Sequence, residues 1–279
     1  MKLICRWYKY RKSFLLLKIF VVCLMVSACG DDTAGPDERE EMAGETHGLF
    51  LSVNGDSNGL YLLDPSRGAA IRAGDGKTPP NGNAGLASQG PDSPLLGASE
   101  FSLYEIERDG SGATLIGNPA AQALTEGLAY DPENNFLFAS SNGFLHLRSP
   151  DTGETIETVL SPPNQPDIEG LAYDPETHTL YGLARGYEQQ SQYFRGLYLL
   201  DTSLPRSQWE WMERGDTGGL WANAGLAFVP ETQMLFAVGR MDDPDGLYSI
   251  NPETGSATRI GSIGLSLASG GGLAWVPAN

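Results

Sequence analysis

The sequence predicts an all-β fold built from repeated four-stranded units, and three observations predict it. The triplet Gly-Leu-Ala recurs, beginning at Gly85, Gly127, Gly170, Gly225 and Gly272. Its spacings of 42, 43, 55 and 47 residues match the ~40–50 residues of a four-stranded propeller blade. Between triplets run short strand-like segments, separated by turns such as Val229-Pro230-Glu231-Thr232-Gln233 and Asn251-Pro252-Glu253-Thr254-Gly255, where Pro and Gly suit the backbone angles a turn needs. With 35 Gly and 18 Pro in 279 residues, turns should be frequent and long helices few.

In chain order, residues 1–28 are set aside as a targeting segment. Lys2, Arg6, Lys9, Arg11 and Lys12 form a basic start, and Ile19 to Met25 is a short apolar stretch preceded by Lys18. That stretch falls short of the ~20 residues a membrane span requires. Val26-Ser27-Ala28-Cys29 follows and resembles the lipobox of bacterial lipoproteins. The resemblance implies cleavage before Cys29 and acylation of that residue, and stable anchoring takes more than one acyl chain. A plain secretory signal with an incidental cysteine is the alternative. Gly30, rather than Asp, follows Cys29, which favours the outer membrane or cell surface over inner-membrane retention. Residues 29–47 carry many acids and one large apolar residue, Met42. They cannot bury enough apolar surface to offset the entropy of ordering, and are expected to form a flexible tether.

Charge and cysteine usage follow the same cut. Six of the 18 basic residues and none of the 35 acidic ones lie in residues 1–28, which leaves twelve bases, 35 acids and a net charge of −23. Such a surface repels nucleic acid and favours cations or cationic partners. Cys5 and Cys23 leave with the signal and Cys29 carries lipid, so a disulfide, thiolate metal site or cysteine nucleophile is excluded from the mature domain.

Residues 48–279 hold the repeats. In the fourth unit the strands are expected at Gly225 to Val229, Met234 to Gly239, Gly246 to Ile250 and Ala257 to Gly261. The third run alternates, as it does in Gly196-Leu197-Tyr198-Leu199-Leu200 and Gly59-Leu60-Tyr61-Leu62-Leu63, a pattern suited to strands packed between neighbouring blades. The last unit stops after its first strand, Gly272 to Val276, while the ordered chain starts with Gly48 to Val53, Gly59 to Leu63 and Gly68 to Arg72, which lack one. Joined, they complete a blade and remove the open edges of a linear array. The prediction is a five-bladed β-propeller.

Gly-Leu-Ala-Tyr-Asp-Pro-Glu-Thr followed by Leu-Tyr, then Gly-Leu-Tyr-x-Ile-x-Pro-Glu-Thr-Gly, resembles the repeats of secreted bacterial β-propellers of the NHL and YncE-like kind, over roughly residues 48–277. These propellers include enzymes and binding modules, so function has to come from a site. The resemblance implies that the first strand of each blade lines a central channel. Ala84, Glu126, Glu169, Ala224 and Gly271 would then ring one mouth, with Asn83 and Asn223 one residue earlier. Glu126, Glu169, Asn83 and Asn223 offer oxygen ligands to a hard cation such as Ca²⁺. This is similar to the metal site of gluconolactonase-like propellers, although those have six blades and an Asp base that is not matched here. Alternatively the two Glu side chains only bond backbone amides at the rim.

Catalytic signatures are sparse. No Gly-x-Ser-x-Gly, His-Glu-x-x-His or phosphate loop occurs. His47 stands at the tether junction, His146 on a strand and His178 in a turn. Asp242-Asp243-Pro244-Asp245-Gly246 is acidic but lacks the spacing of an EF-hand loop. The long third unit inserts Arg185 to Arg195, where Tyr187, Tyr193, Phe194 and Arg195 on a loop suit recognition of a protein, peptide or sugar; a loop folded onto its own blade is equally open. Trp209 and Trp211 are expected on one face of a strand, as core. The sequence thus points to a lipid-anchored binding or scaffolding module of the cell envelope. A cation-dependent hydrolase or lactonase, and a ligand-free structural component, stand as alternatives.

Overall fold

A computed structural model of the chain describes residues 47–278, apart from 77–84, 100, 119–123, 163–164, 190–191, 219–220, 241–244 and 268–270. Twenty strands fall into five four-stranded antiparallel sheets. Blade 1 comprises β1 (Gly48–Val53), β2 (Gly59–Leu63), β3 (Ala70–Arg72) and the last strand, β20 (Gly271–Val276). Blade 2 holds β4 (Gly85–Ser88), β5 (Leu95–Ser99), β6 (Ser102–Ile106) and β7 (Ala113–Ile116). Blade 3 holds β8 (Gly127–Asp131), β9 (Phe136–Ser141), β10 (Phe144–Arg148) and β11 (Thr155–Leu160). Blade 4 is built from β12 (Ile168–Asp174), β13 (Thr179–Gln189), β14 (Gln192–Asp201) and β15 (Met212–Gly215). Blade 5 has β16 (Ala222–Val229), β17 (Met234–Arg240), β18 (Gly246–Ile250) and β19 (Ala257–Ser262). Among the described residues no helix is long and apolar enough to cross a membrane.

Closure occurs where the alternating ends of the sequence require it. β20 pairs antiparallel with β1, from Gly48 opposite Val276 to Val53 opposite Gly271. The inner strands β4, β8, β12, β16 and β20 then pack side by side around the axis.

The triplet has a physical reason. Each of its glycines abuts the next blade: a Cβ on Gly85 would stand 2.7 Å from the Leu128 nitrogen, on Gly127 3.0 Å from that of Leu171, and on Gly170 3.1 Å from that of Leu226. On Gly225 it would be 2.7 Å from the Leu273 nitrogen, and on Gly272 2.6 Å from that of Leu86, which returns to the start of the ring. Five blades crowd their inner strands, and glycine permits that approach.

The leucine of each triplet packs against the preceding blade and the alanine against the following one. Leu128 joins Ala87, Leu96 and Leu137 between blades 2 and 3, whereas Ala129 joins Phe138, Leu171 and Leu180 between blades 3 and 4. The period-2 alternation of β2 divides in the same way. Leu60 and Leu62 face blade 2 with Leu86 and Leu95, and Tyr61 and Leu63 face blade 5 with Val238 and Leu247. The remaining interface, between blades 4 and 5, gathers Leu183, Leu197, Trp221, Leu226 and Phe228. Each fully buried leucine contributes about 1.5–3 kcal/mol of transfer free energy, so the stabilisation lies between blades rather than at one centre.

Two expectations need correction. Trp209 and Trp211 do pack into the interface of blades 3 and 4, but they precede β15 and lie on no strand, because the chain bends through a 3-10 turn at Arg206–Gln208. The insertion from Arg185 to Arg195 is not a loop on the blade. β13 and β14 extend through it, pairing Arg185 with Arg195, Tyr187 with Phe194, Glu188 with Tyr193 and Gln189 with Gln192.

Candidate functional site

The sequence-predicted carboxylates stand at the starts of the neighbouring inner strands β8 and β12. Glu126 immediately precedes β8 and is partly buried. Its Oε2 accepts the backbone N–H of Asn142 at 2.8 Å. Asn142 sits in the β9–β10 turn at a φ of 48°, a left-handed conformation that Asn tolerates better than most residues.

Glu169 is placed by a β-bulge. Ile168 faces Ala184 and Gly170 faces Leu183, so Glu169 has no opposite residue on β13. A bulge re-aims a side chain that an unbroken ladder would fix. Glu169 is 5% exposed, and its Oε1 lies 3.2 Å from Nη1 of Arg185. Arg185 is the residue where β13 leaves the blade; its N–H donates to the Asp167 carbonyl at 2.9 Å, and its own carbonyl accepts the Trp221 N–H at 3.1 Å. Blades 3, 4 and 5 therefore all bear on this corner.

Asp167 completes the group. Burial raises its pKa, with the Arg185 charge and a hydrogen bond from the Gly143 N–H opposing. Its Oδ1 is buried and finds no hydrogen-bond partner among the described residues. Burial also raises the pKa of Glu126; the Asn142 N–H opposes this, the Asp167 charge adds to it, and Arg185 offsets part. The Arg185 charge thus acts on Glu126, Asp167 and Glu169 together, while burial opposes the ionisation of Glu126 and Asp167.

Asp167 and Arg185 were not singled out from sequence. Asp167-Ile168-Glu169 has the i, i+2 spacing that places two acids on one strand face, which was the available signal. The bulge and the return of Arg185 across the sheet left no sequence mark. Of the other predicted residues, Asn223 lies in β16 within a second irregularity, between the pairs Ala222–Arg240 and Gly225–Val238. Asn83 and Cys29 lie outside the described residues. Tyr187, Tyr193 and Phe194 stand on the extended hairpin, and Arg195 pairs with Asp216. His146 shares a 2.9 Å contact with Thr158 Oγ1 and stacks on Phe144, which accounts for it on a sheet face. Among the described residues no group of three or more His, Cys, Asp or Glu side chains is arranged to hold a metal ion.

At the level of the Gly-Leu pairs, Gly85, Gly127, Gly170, Gly225 and Gly272 with their leucines leave no space for a water molecule. A bowl of about 80 Å³ opens on the other end, walled by the triplets and by Ser88, Tyr130, Tyr173, Phe228 and Trp275. The acidic mouth and the bowl are separate sites.

No protein-family description and no curated protein sequence matches this chain. Solved structures do. A chain of the nidogen/laminin complex is similar with a TM-score of 0.52 and 18% identity, over 78% of this chain and 79% of that one. A TolB-like protein of Agrobacterium tumefaciens gives 0.44 and 11%, over 78% and 70%. Kuenenia stuttgartiensis hydrazine synthase gives 0.42 and 14%, over 64% and 48%, so this chain spans about half the length of that one. At these identities the likeness concerns the fold alone.

Proposed function

We propose that this protein is an exported, lipid-anchored binding module of the cell envelope, which takes a cationic group of its partner at the mouth formed by Glu126, Asp167, Glu169 and Arg185. One observation carries the reading: Arg185 pairs with Glu169 while its charge also acts on Glu126 and Asp167, and a buried oxygen of Asp167 has no hydrogen-bond partner among the described residues. An arriving cation completes the charge balance where burial opposes ionisation, and buried carboxylates are favourable only when paired. Arg185 already pairs with Glu169 at one corner, so a second guanidinium or ammonium suits the geometry better than a hard metal needing six or more oxygens.

The test is calorimetric titration of the full chain with methylguanidinium and, separately, with CaCl₂, in buffers of different ionisation enthalpy. Binding of the organic cation should release protons near pH 5, because a nearby positive charge lowers the raised carboxyl pKa values. A Glu126→Gln/Asp167→Asn chain should lose both the binding and the proton release. Equal binding by wild type and double variant would sink the mouth as the site. Anchoring is tested apart from this: mass spectrometry of the exported protein should find diacylglycerol on Cys29, and Cys29→Ser should release the protein from the membrane fraction.

A further inference from the structure

Among the described residues the hairpin of blade 4 has no counterpart in the other four blades. β12 stops pairing with β13 at Ala184, and β15 stops pairing with β14 at Leu197. Beyond Arg185, whose N–H and carbonyl still bond Asp167 and Trp221, β13 and β14 pair with each other through Gln189 and Gln192 among the described residues. The arm is therefore a two-stranded ribbon, and among the described residues no strand covers the outer edge of Gly186–Gln189 or of Gln192–Arg195. Four residues of extended chain carry β13 roughly 14 Å past its last bond to Asp167.

Such a ribbon is marginal in water, and a third strand on the same sheet stabilises it. Proteins that must keep an edge free of partners blunt it with charged side chains, above all Lys, with Pro, with bulges or with a covering segment. The sequence from Arg185 to Arg195 contains neither Lys nor Pro. It contains one bulge, at Gly186, between the pairs Arg185–Arg195 and Tyr187–Phe194. Gly186 has a φ of 81°, so the bulge depends on glycine and increases the twist where the arm leaves the blade.

The two edges are not equivalent. The inner edge of β13 is the one that β12 occupies lower down; Trp221 then donates its N–H to the Arg185 carbonyl at 3.1 Å, so a strand added along Gly186–Gln189 ends at Trp221, next to Arg185. Arg185, the first residue of the arm, is also the partner of Glu169. Edge and acidic mouth thus meet at Arg185. We propose that the inner edge of this arm binds an extended, basic segment of a partner protein by strand addition. Main-chain bonds to Gly186–Gln189 hold it, and a positively charged side chain at its end is seated among Glu126, Asp167 and Glu169. The charge of the occupant rests on the mouth reading above; strand addition rests on the ladder alone. A second copy of this chain is disfavoured as the occupant, because each copy has a formal charge of −17 and like charges brought together repel.

The experiment titrates the full chain with the peptide acetyl-Arg-Val-Arg-Val-Arg-Val-amide, followed by calorimetry. Its acidic counterpart has Glu for Arg, and a third probe is basic but N-methylated at alternate amides. The basic peptide should bind, the acidic one should not, and N-methylation should weaken binding at least about tenfold, since each lost ladder bond counts. Replacing residues 187–194 by Asn-Gly should cause a similar loss while leaving the unfolding midpoint unchanged, because the arm lies outside the four-stranded sheet. Gly186→Ala, which strains the bulge, should weaken binding with the arm at full length. Undiminished binding of the N-methylated peptide, or undiminished binding by the shortened chain, would overturn strand addition. Loss in the shortened chain with none in Glu126→Gln/Asp167→Asn would support the arm and refute the mouth; the reverse would refute the arm. Sedimentation showing a dimer that the shortening abolishes would overturn the partner assignment in favour of a second copy.

Discussion

Gly225→Ala is the substitution through which the ring geometry can be tested most sharply. The new methyl would stand 2.7 Å from the Leu273 nitrogen, 2.7 Å from the Gly271 oxygen and 2.9 Å from the Leu273 Cβ. Favourable contact needs about 3.5–4.0 Å, and two of the three atoms are backbone, so relief requires β16 and β20 to part by several tenths of an ångström. Those strands are held by Leu226 and Leu273, each no more than 2% exposed. Overpacking of this kind costs about 1–3 kcal/mol, occasionally more. Loss of glycine entropy in the unfolded chain returns roughly 0.4–1 kcal/mol. The net loss should be about 1–2 kcal/mol, or a fall of roughly 2–8 °C in Tm for a domain of this size. Gly112→Ala is the control: a Cβ there meets nothing within 4 Å and the backbone is not left-handed, so that change should be neutral or slightly stabilising. Urea denaturation at a common m-value provides the comparison. If Gly225→Ala and Gly112→Ala agree within about 0.5 kcal/mol, the triplet glycines do not set the ring diameter and the account of the repeat is wrong.

Three further outcomes follow from the same structure. Burial raises the pKa values of Glu126 and Asp167 above their ordinary 4.5 and 3.8; such groups hold protons more tightly folded than unfolded, so they cost stability as pH rises through the raised values. Glu126→Gln/Asp167→Asn should therefore exceed wild type in Tm at pH 7, with the gap closing as pH falls below 4; a gap that widens on acidification would reverse the sign and refute the assignment. Arg148 is 0% exposed, with Nε and Nη2 donating to the Gly153 carbonyl at 2.8 and 2.7 Å and Nη1 to Thr125 Oγ1 at 2.5 Å, while burial lowers its pKa to about 10. Arg148→Met leaves those oxygens without donors, so denaturation should show a loss of about 1–3 kcal/mol, and Arg148→Lys should not recover it because one ammonium cannot reproduce the planar fork. Leu60→Ala removes a 1% exposed side chain from the interface of blades 1 and 2 and should cost about 2–5 kcal/mol, whereas Leu115→Ala, at a position 45% exposed, should stay within about 0.5 kcal/mol of wild type.

The fold was legible because its physics repeats. Period-2 runs such as Gly59 to Leu63 must bury both faces, and a propeller blade is where both faces are buried. The missing first strand before Gly48 and the lone strand at Gly271 to Val276 announced their pairing. The carboxylates at Glu126 and Glu169 were legible for the same reason, since both stand one residue before a triplet. What decides their chemistry was not. Arg185 is sixteen residues from Glu169 and reaches it only because β13 folds back along β12 with a bulge. Asp167 acquires its meaning from burial, which an acid in a polar stretch of sequence does not reveal. The hairpin looked like a loop because Tyr187-Glu188-Gln189-Gln190-Ser191-Gln192 shows no alternation of apolar and polar residues, the pattern by which a strand is recognised in sequence.

The most direct measurement is a ¹³C NMR titration of the Glu126 and Asp167 carboxyl carbons, with and without acetyl-Arg-Val-Arg-Val-Arg-Val-amide. In the free protein both groups should titrate above their ordinary values, and saturating peptide should move both downward. Ordinary values in the free protein, or midpoints unmoved by the peptide, would contradict the claim that this mouth holds partly desolvated carboxylates for a cationic partner.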